Sequence, residues 1–382
     1  MVNVVSLAEI IISFIAIYYI LTVALNIKAG MTGIPDFGHA MFFAIGGIVV
    51  ANFAARIAAA FVASQLGVSP GEAMQLVIAE NTAIMVKINE ALATRPLLSI
   101  MLIIFSIVVA LLLGGLLGWI ASYPALRLRG DYLAIMLLTA SEGLRIFVMY
   151  TKSIMGSTPT VGLTTPALFA FTGDAGLWST VFVASLAVIV YLFAERFHNS
   201  PSGRLFRAVR DDEDSAEAVG KNIAKVRRDA MIIGSAIAAL AGVAYSFSTW
   251  IAGSSIAAQS IFDRVLWTFW PWALMILGGM SSNRGITLAT IVVGALIVGP
   301  IRIYKNQIAA ALPVDKLGFD PGNFASALEF TLVALLILLV LLFRPKGVIP
   351  EPPSYTLKPS ELKELVKEAG EQLELSEEGQ QS

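Results

Sequence analysis

The chain has 382 residues, 57% of them hydrophobic and only 14% charged, with a formal net charge of −1. A mean hydropathy of +0.78 leaves too little polar surface for a soluble domain of this size, and repeated apolar runs of about 20 residues are long enough to cross a hydrocarbon core as helices. The absence of cysteine, with only His39 and His198 for histidines, excludes disulfides, thiolate metal sites, a cysteine nucleophile and a histidine-rich metal centre.

The N-terminal run has no basic stretch and carries Glu9 early. Its apolar part is too long for a signal-peptide core, so it reads as a retained membrane helix over about Ala8 to Ile27. The Gly-rich turn KAGMTGIPDFGHA follows, then a second helix over about Ala40 to Val62, in which Gly46 and Gly47 allow close approach of a neighbouring backbone. Residues 63–96 change character: Pro70, Gly71 and scattered charges argue against a span, while a partly amphipathic pattern predicts a helical insertion outside the membrane or at its interface. A third helix runs from about Leu97 to Ser122, and a fourth, after LRLRGD, covers Tyr132 to Tyr150. The Gly/Thr/Pro-rich residues 151–176 are not expected to be regular helix, and a fifth helix covers about Leu177 to Phe193.

The interval His198 to Ala230 holds seven Lys/Arg and six Asp/Glu between long apolar segments, so it must lie in water. Leu205, Val209, Ala216, Val219, Ile223 and Val226 recur within it at helical spacing, which predicts one or two short helices with a buried stripe. Further helices are expected over about Ala230 to Trp250, Val265 to Leu277, Ile286 to Ile301 and Phe324 to Phe343, and RPKG marks the exit from the last. The tail, residues 350–382, opens with three prolines. Ser360 is a candidate N-cap for a short amphipathic helix in it.

The fold class is therefore an all-α integral membrane protein, a polytopic bundle of about nine transmembrane helices. It divides into a membrane domain, 1–349, and an acidic tail, 350–382. The short alternating segments of a β-barrel are missing. In a nine-span count the basic loops at 126–130, 198–229 and 281–285 and the RPKG exit share one side. The positive-inside rule makes that side the cytoplasm, with the N-terminus outside, the C-terminus inside and the 63–96 insertion extracytoplasmic.

No G-x-x-x-x-G-K-[ST] occurs, and neither does H-E-x-x-H, G-x-S-x-G or an Asp-rich metal loop. An enzyme is not expected, and no cofactor or nucleic-acid partner is implied. Glu142 and Arg145 lie at i, i+3 inside a span, where a central charge costs about 2.5–3.5 kcal/mol on insertion scales. The pair reads either as part of a substrate path or as a structural ion pair. The charged loop likewise reads either as a solvated connector or, from its mixed charges and the EAVG patch at Glu217 to Gly220, as a surface that docks in a partner's groove.

SPSGRLFRAVRDDEDSAEAVGKNIAKVRRDAMIIGSAIAALAGVAYS resembles the cytoplasmic loop and following helix of branched-chain amino acid ABC transporter permeases. ALNIKAGMTGIPDFGHAMFFAIGG, LRLRGDYLAIMLLTASEGLRIF, ILGGMSSNRG and LLFRPKGVI are similar to that family's other motifs, in the family's order across most of residues 20–350. The M-type permease is the branch it looks most like. Two departures stand out: PDFGH at Pro35 to His39 replaces the family's S-L-G-H, and GSTPTVGL at Gly156 to Leu163 replaces its T-G-G-x-x-G-L.

The resemblance implies an ATP-driven importer of Leu, Ile, Val or a related small amino acid or amide, in a prokaryotic plasma membrane. Its partners would be cytoplasmic ABC ATPase subunits, a second permease subunit (identical or related), an extracytoplasmic substrate-binding protein and the lipid bilayer. The loop at 198–229 would be the ATPase-coupling segment, with Arg210, Asp212, Glu213, Ala216, Glu217, Ala218 and Gly220 matching its motif. Candidates for the translocation path are His39, Glu142, Arg145, Thr158 and Thr160. The competing class is an ion-coupled secondary transporter of small solutes, which would show inverted repeats and broken helices at the midplane. No clear repeat occurs here. A third reading is a membrane-bound structural or receptor subunit without a pathway.

Overall fold

The computed structural model describes residues 4–79, 81–128, 130–155, 163–251, 255–301 and 321–351. The tail helix expected at Ser360, and Thr158 and Thr160, lie outside the described residues. The helices are α1 Ala8–Gly30, α2 His39–Gln65, α3 Pro70–Ala79, α4 Asn81–Ala93, α5 Pro96–Arg127, α6 Gly130–Tyr150, α7 Ala175–Asn199, α8 Pro201–Asp211, α9 Glu213–Ala218, α10 Ile223–Ile251, α11 Val265–Gly278, α12 Asn283–Ile301 and α13 Pro321–Phe343. Seven of them (α1, α2, α5, α6, α7, α10 and α12) are long and apolar enough to cross a membrane. The apolar parts of α11 and α13 are shorter. The nine apolar helices read from the sequence are thus all present.

Packing is inverted relative to a soluble bundle. On α5 the bulky Leu97, Met101, Ile104, Val108, Leu112 and Leu116 point outward, while Ser106, Ala110, Gly114, Gly118 and Ala125 are buried. Lipid is as apolar as leucine, so the helices associate through close backbone approach, which small residues allow. The buried centre is α10, packed against α5, α2, α1 and α7. Where α2 crosses it, a Cβ on Gly46 would strike the Ala239 carbonyl and one on Gly242 the Phe43 carbonyl. Gly46 therefore does what its place in the sequence suggested. The third helix runs on past Ser122 to Arg127, with Pro124 inside it near its end.

Contacts at the helix ends fall into two sets. In one, Arg210 meets Gly30, Arg227 meets Ala125, Arg284 meets Glu195, Ser281 meets Asn26, and Val348 and Ile349 meet Leu277 and Gly278. In the other, Asn52 and Arg56 meet Ser153, Arg95 meets Phe61, Asn81 meets Thr164, Asn89 meets Ala167, and Leu163–Thr164 pairs antiparallel with Ser255–Ile256. Helices α3 and α4 pack with this second set. A nine-crossing path sorts its helix ends in the same way.

Candidate functional site

The charged interval folds as two short helices because its sequence stops and restarts the backbone at set points. Ser200 caps α8, its Oγ accepting from the Gly203 amide at 3.1 Å, and Pro201 opens the first turn. Asp212 ends α8 and caps α9: its carboxylate accepts from the Ser215 amide at 3.0 Å and from the Ser215 hydroxyl at 2.7 Å. These bonds, the amide foremost, hold the Asp212 carboxyl below the usual carboxylate range. Gly220 then takes a left-handed conformation with φ of 77°, and Lys221 donates back to the Ala216 carbonyl at 3.1 Å, closing α9. Asn222 caps α10, accepting from the Lys225 amide at 2.8 Å.

Arg227 clamps this hairpin to the membrane helices. Its guanidinium pairs with Glu213 and donates to the Ala125 carbonyl at the end of α5, at 3.0 Å. Val209, Ala216 and Val226 are buried as the stripe requires, and Phe206 joins them against Phe197. Val219 departs from the stripe: it is 72% exposed. The turn at Gly220 swings it away from the face that helical periodicity assigned to it. Two hollows open on the hairpin, and Val219 lines the second. One, of about 550 Å³, lies between α9 and the start of α10, lined by Glu213, Glu217, Gly220, Lys221 and Arg227. The other, of about 460 Å³, lies on the α8 side and includes Leu205, Ala208, Ala216 and Val219. The expected coupling residues therefore divide: Glu213, Glu217 and Gly220 line the groove, Ala216 is buried beneath, Ala218 is exposed, Asp212 is a cap, and Arg210 points inward.

Inward of Arg210 lies a closed ionic cluster. Lys28, Asp36 and His39 are each 0% exposed. The Lys28 ammonium has three takers: the Asp36 carboxylate, His39 Nδ1 at 3.0 Å and the face of the Phe42 ring at 4.1 Å. His39 Nε2 lies 3.0 Å from the Leu21 carbonyl, which can only accept, so Nε2 carries the proton. His39 Nδ1 lies 3.0 Å from both the Lys28 ammonium and Asp36 Oδ2, so all three residues meet at that nitrogen. Asp36 Oδ1 accepts from the Gly38 amide at 3.1 Å, and the Asp36 carbonyl accepts from Trp272 Nε1 at 3.1 Å. The Lys28 cation and the Asp36 anion balance. His39, a translocation-path candidate, is buried in this cluster.

Glu142 and Arg145 do meet, as their spacing on α6 predicts: Arg145 Nε donates to Glu142 at 2.9 Å. Their side chains stay 28% and 23% exposed, beside the buried stripe of Leu133, Leu137, Ser141 and Val148. Arg264, just before α11, acts electrostatically on Glu142 from across the helix boundary. Sequence reasoning passed over Lys28, Asp36, Arg227 and the outward turn of Val219. A lysine at the end of a span with an aspartate eight residues on was the available signal for the first two. Among the described residues no cluster of His, Asp and Glu could hold a metal ion.

Residues 7–343 match the family described as branched-chain amino acid transport system, permease component. The chain is 35% identical over 357 residues to the probable branched-chain amino acid transport permease protein LivM of Methanocaldococcus jannaschii, covering 92% of this chain and 96% of that one. It is 26% identical to the high-affinity branched-chain amino acid transport system permease protein LivM of Escherichia coli, over 63% of this chain and 56% of that one. The corresponding LivH of Escherichia coli is also 26% identical, over 64% and 73%. No solved structure matches the chain.

Proposed function

The chain belongs to the permease components of branched-chain amino acid transport systems, and from that premise we propose that it carries Leu, Ile, Val or a closely related small amino acid or amide across a prokaryotic plasma membrane. It is a multi-pass permease subunit of an ABC importer. Its energy comes from separate ATPase subunits docked on residues 198–229, since the chain has no P-loop of its own. Val219 enters the ATPase surface, with Glu217 and Gly220 shaping the groove beside it. The side of the bundle bearing Arg210, Arg227 and Arg284 faces the cytoplasm, and the N-terminus and the 63–96 insertion face outward. This sidedness rests on the excess of basic residues there. A second permease subunit, the same chain or a relative, completes the pathway, and an extracytoplasmic binding protein delivers the substrate. Residues 1–349 form the membrane domain and 350–382 a cytoplasmic tail.

The observation that carries this reading, in a chain of this family, is the exposed Val219 at the α8-side hollow of a hairpin clamped by Arg227 to the ends of the spans. A partner groove that receives this hairpin would cover Val219. Glu142 and Arg145 are proposed to line the path. Charges within a span face a bundle interior or water, and these two stay partly open in the single chain. Purified complex in vesicles tests the proposal. Uptake that requires ATP and the ATPase subunits supports it. Uptake by this chain alone, driven by an ion gradient, overturns it in favour of a secondary carrier.

A further inference from the structure

We infer that Lys28, Asp36 and His39 form a buried latch that stiffens the turn between α1 and α2, so that displacement of the coupling segment moves both helices as one body. This rests on the reading of residues 198–229 as the ATPase-docking segment. The turn at residues 33–38 is irregular backbone packed among the helices, with Gly33 exposed, and Arg210 of α8 reaches it and the end of α1. Arg210 Nη1 donates to the Gly30 carbonyl at 2.8 Å. Gly33, with φ of 71°, lies against the Arg210 stem. The returning limb is wedged in the bundle: a Cβ on Gly38 would strike the Leu137 carbonyl of α6, and Phe37 stacks on Trp272 of α11 at 5.0 Å.

Gly33, at a positive φ, gives this turn a point of backbone freedom, whereas Gly30 and Gly38 are glycine because neighbouring atoms leave no room for a Cβ. A hinge at that point would absorb a push from α8 before it reached α1 or α2. The latch removes that freedom. Lys28, in the last turn of α1, is joined to Asp36 in the returning limb, and His39, the first residue of α2, bridges from Lys28 to the Leu21 carbonyl farther along α1. Thr32 and Ile34 also return bonds to the Lys28 carbonyl, at 2.5 and 3.0 Å. The lysine stem packs on Gly234 of α10, where a Cβ would come within 2.6 Å of it. The same ammonium thus ties α1, the turn, α2 and the central helix together. Asp36 stands in the motif where the family pattern carries serine, and its cation is supplied eight residues earlier in the same chain.

The three residues are positioning residues, and their signature is coupling. In the assembled complex in vesicles, with ATPase subunits and binding protein, substrate moved per ATP hydrolysed is compared between wild type and the charge-balanced Lys28→Met/Asp36→Ser double variant. The double variant leaves no lone buried charge. It is expected to assemble and hydrolyse ATP as wild type does, while transport per ATP falls about tenfold, within the range that changes along a coupled network produce. An unchanged ratio overturns the latch. If the double variant fails to assemble, the wild-type complex decides: the distance between labels placed on α1 and on α2 is expected to stay constant between the nucleotide-free and ATP-bound states, and a change in it overturns the inference. Failure of the wild-type complex to couple transport to ATP is a different result: it removes the ATPase-docking reading itself.

Discussion

The Lys28–Asp36–His39 cluster and the Glu142–Arg145 pair are both ionic groups set among membrane spans, and they are built differently. The first is closed. Each donor has a taker, each member is fully buried, and five elements contribute to its walls. The second is a single i, i+3 pair on one helix, with about a quarter of each side chain still exposed. A charge removed from water is stable only if its partners replace the water in full. The closed cluster meets that condition within one chain. The open pair does not: about a quarter of each side chain is left uncovered in the single chain. The first suits a structural role; the second is the one proposed to meet a passing substrate.

Substitutions at the two sites separate these roles. The largest effect is expected for Lys28→Met or Asp36→Asn alone, each of which strands an opposite or unpaired group in a dry site. The cost is about 3–5 kcal/mol, read as a lowered midpoint of thermal unfolding in detergent and a loss of folded protein. Combining them should recover most of that loss, and a double variant no more stable than the singles would show that the cluster is not a charge-balanced unit. Glu142→Gln should cost less than about 1 kcal/mol, as for a partly exposed pair, yet lower uptake strongly. A large loss of stability with normal transport would reverse the contrast drawn between the two sites.

Val219→Asp should change stability by no more than about 0.5 kcal/mol, the range for surface positions, while co-purification of the ATPase subunits falls. Undiminished co-purification would remove Val219 from the docking surface. The smallest effect is a titration. Asp212 sits in water and its folded carboxyl is depressed, so its contribution to the α9 cap is complete above the unfolded value of about 3.9 and is lost as pH falls through the lower folded value. Protection of the Ser215 amide should therefore weaken on acidification, while the Gly203 amide, capped by the non-titrating Ser200, should not. Parallel loss at both amides would mean general unfolding in place of a local cap.

Much of the architecture was legible in the chain because it follows from local rules. Apolar runs at spanning length located nine helices, and Gly46 marked a close crossing. Ser200, Asp212, Gly220 and Asn222, the caps and stops of the 198–229 segment, were not picked out as such from the sequence, although their residue types are those that caps and turns favour. Glu142 and Arg145 were found because i, i+3 residues share a helix face whatever surrounds them. Lys28 and Asp36 were missed because a lysine at the end of a span is ordinarily read as a solvated end. Val219 was misplaced because periodicity was carried across a glycine turn that resets it.

The sequence alone determined the helical class, the likeness to a permease family and the position of the charged hairpin, since hydropathy and ordered motifs are properties of neighbours along the chain. Tertiary structure decided which ions are closed and which are open. That depends on how α1, α2, α6, α10 and α11 converge around the 33–38 turn, and on how much water their packing leaves at each charge.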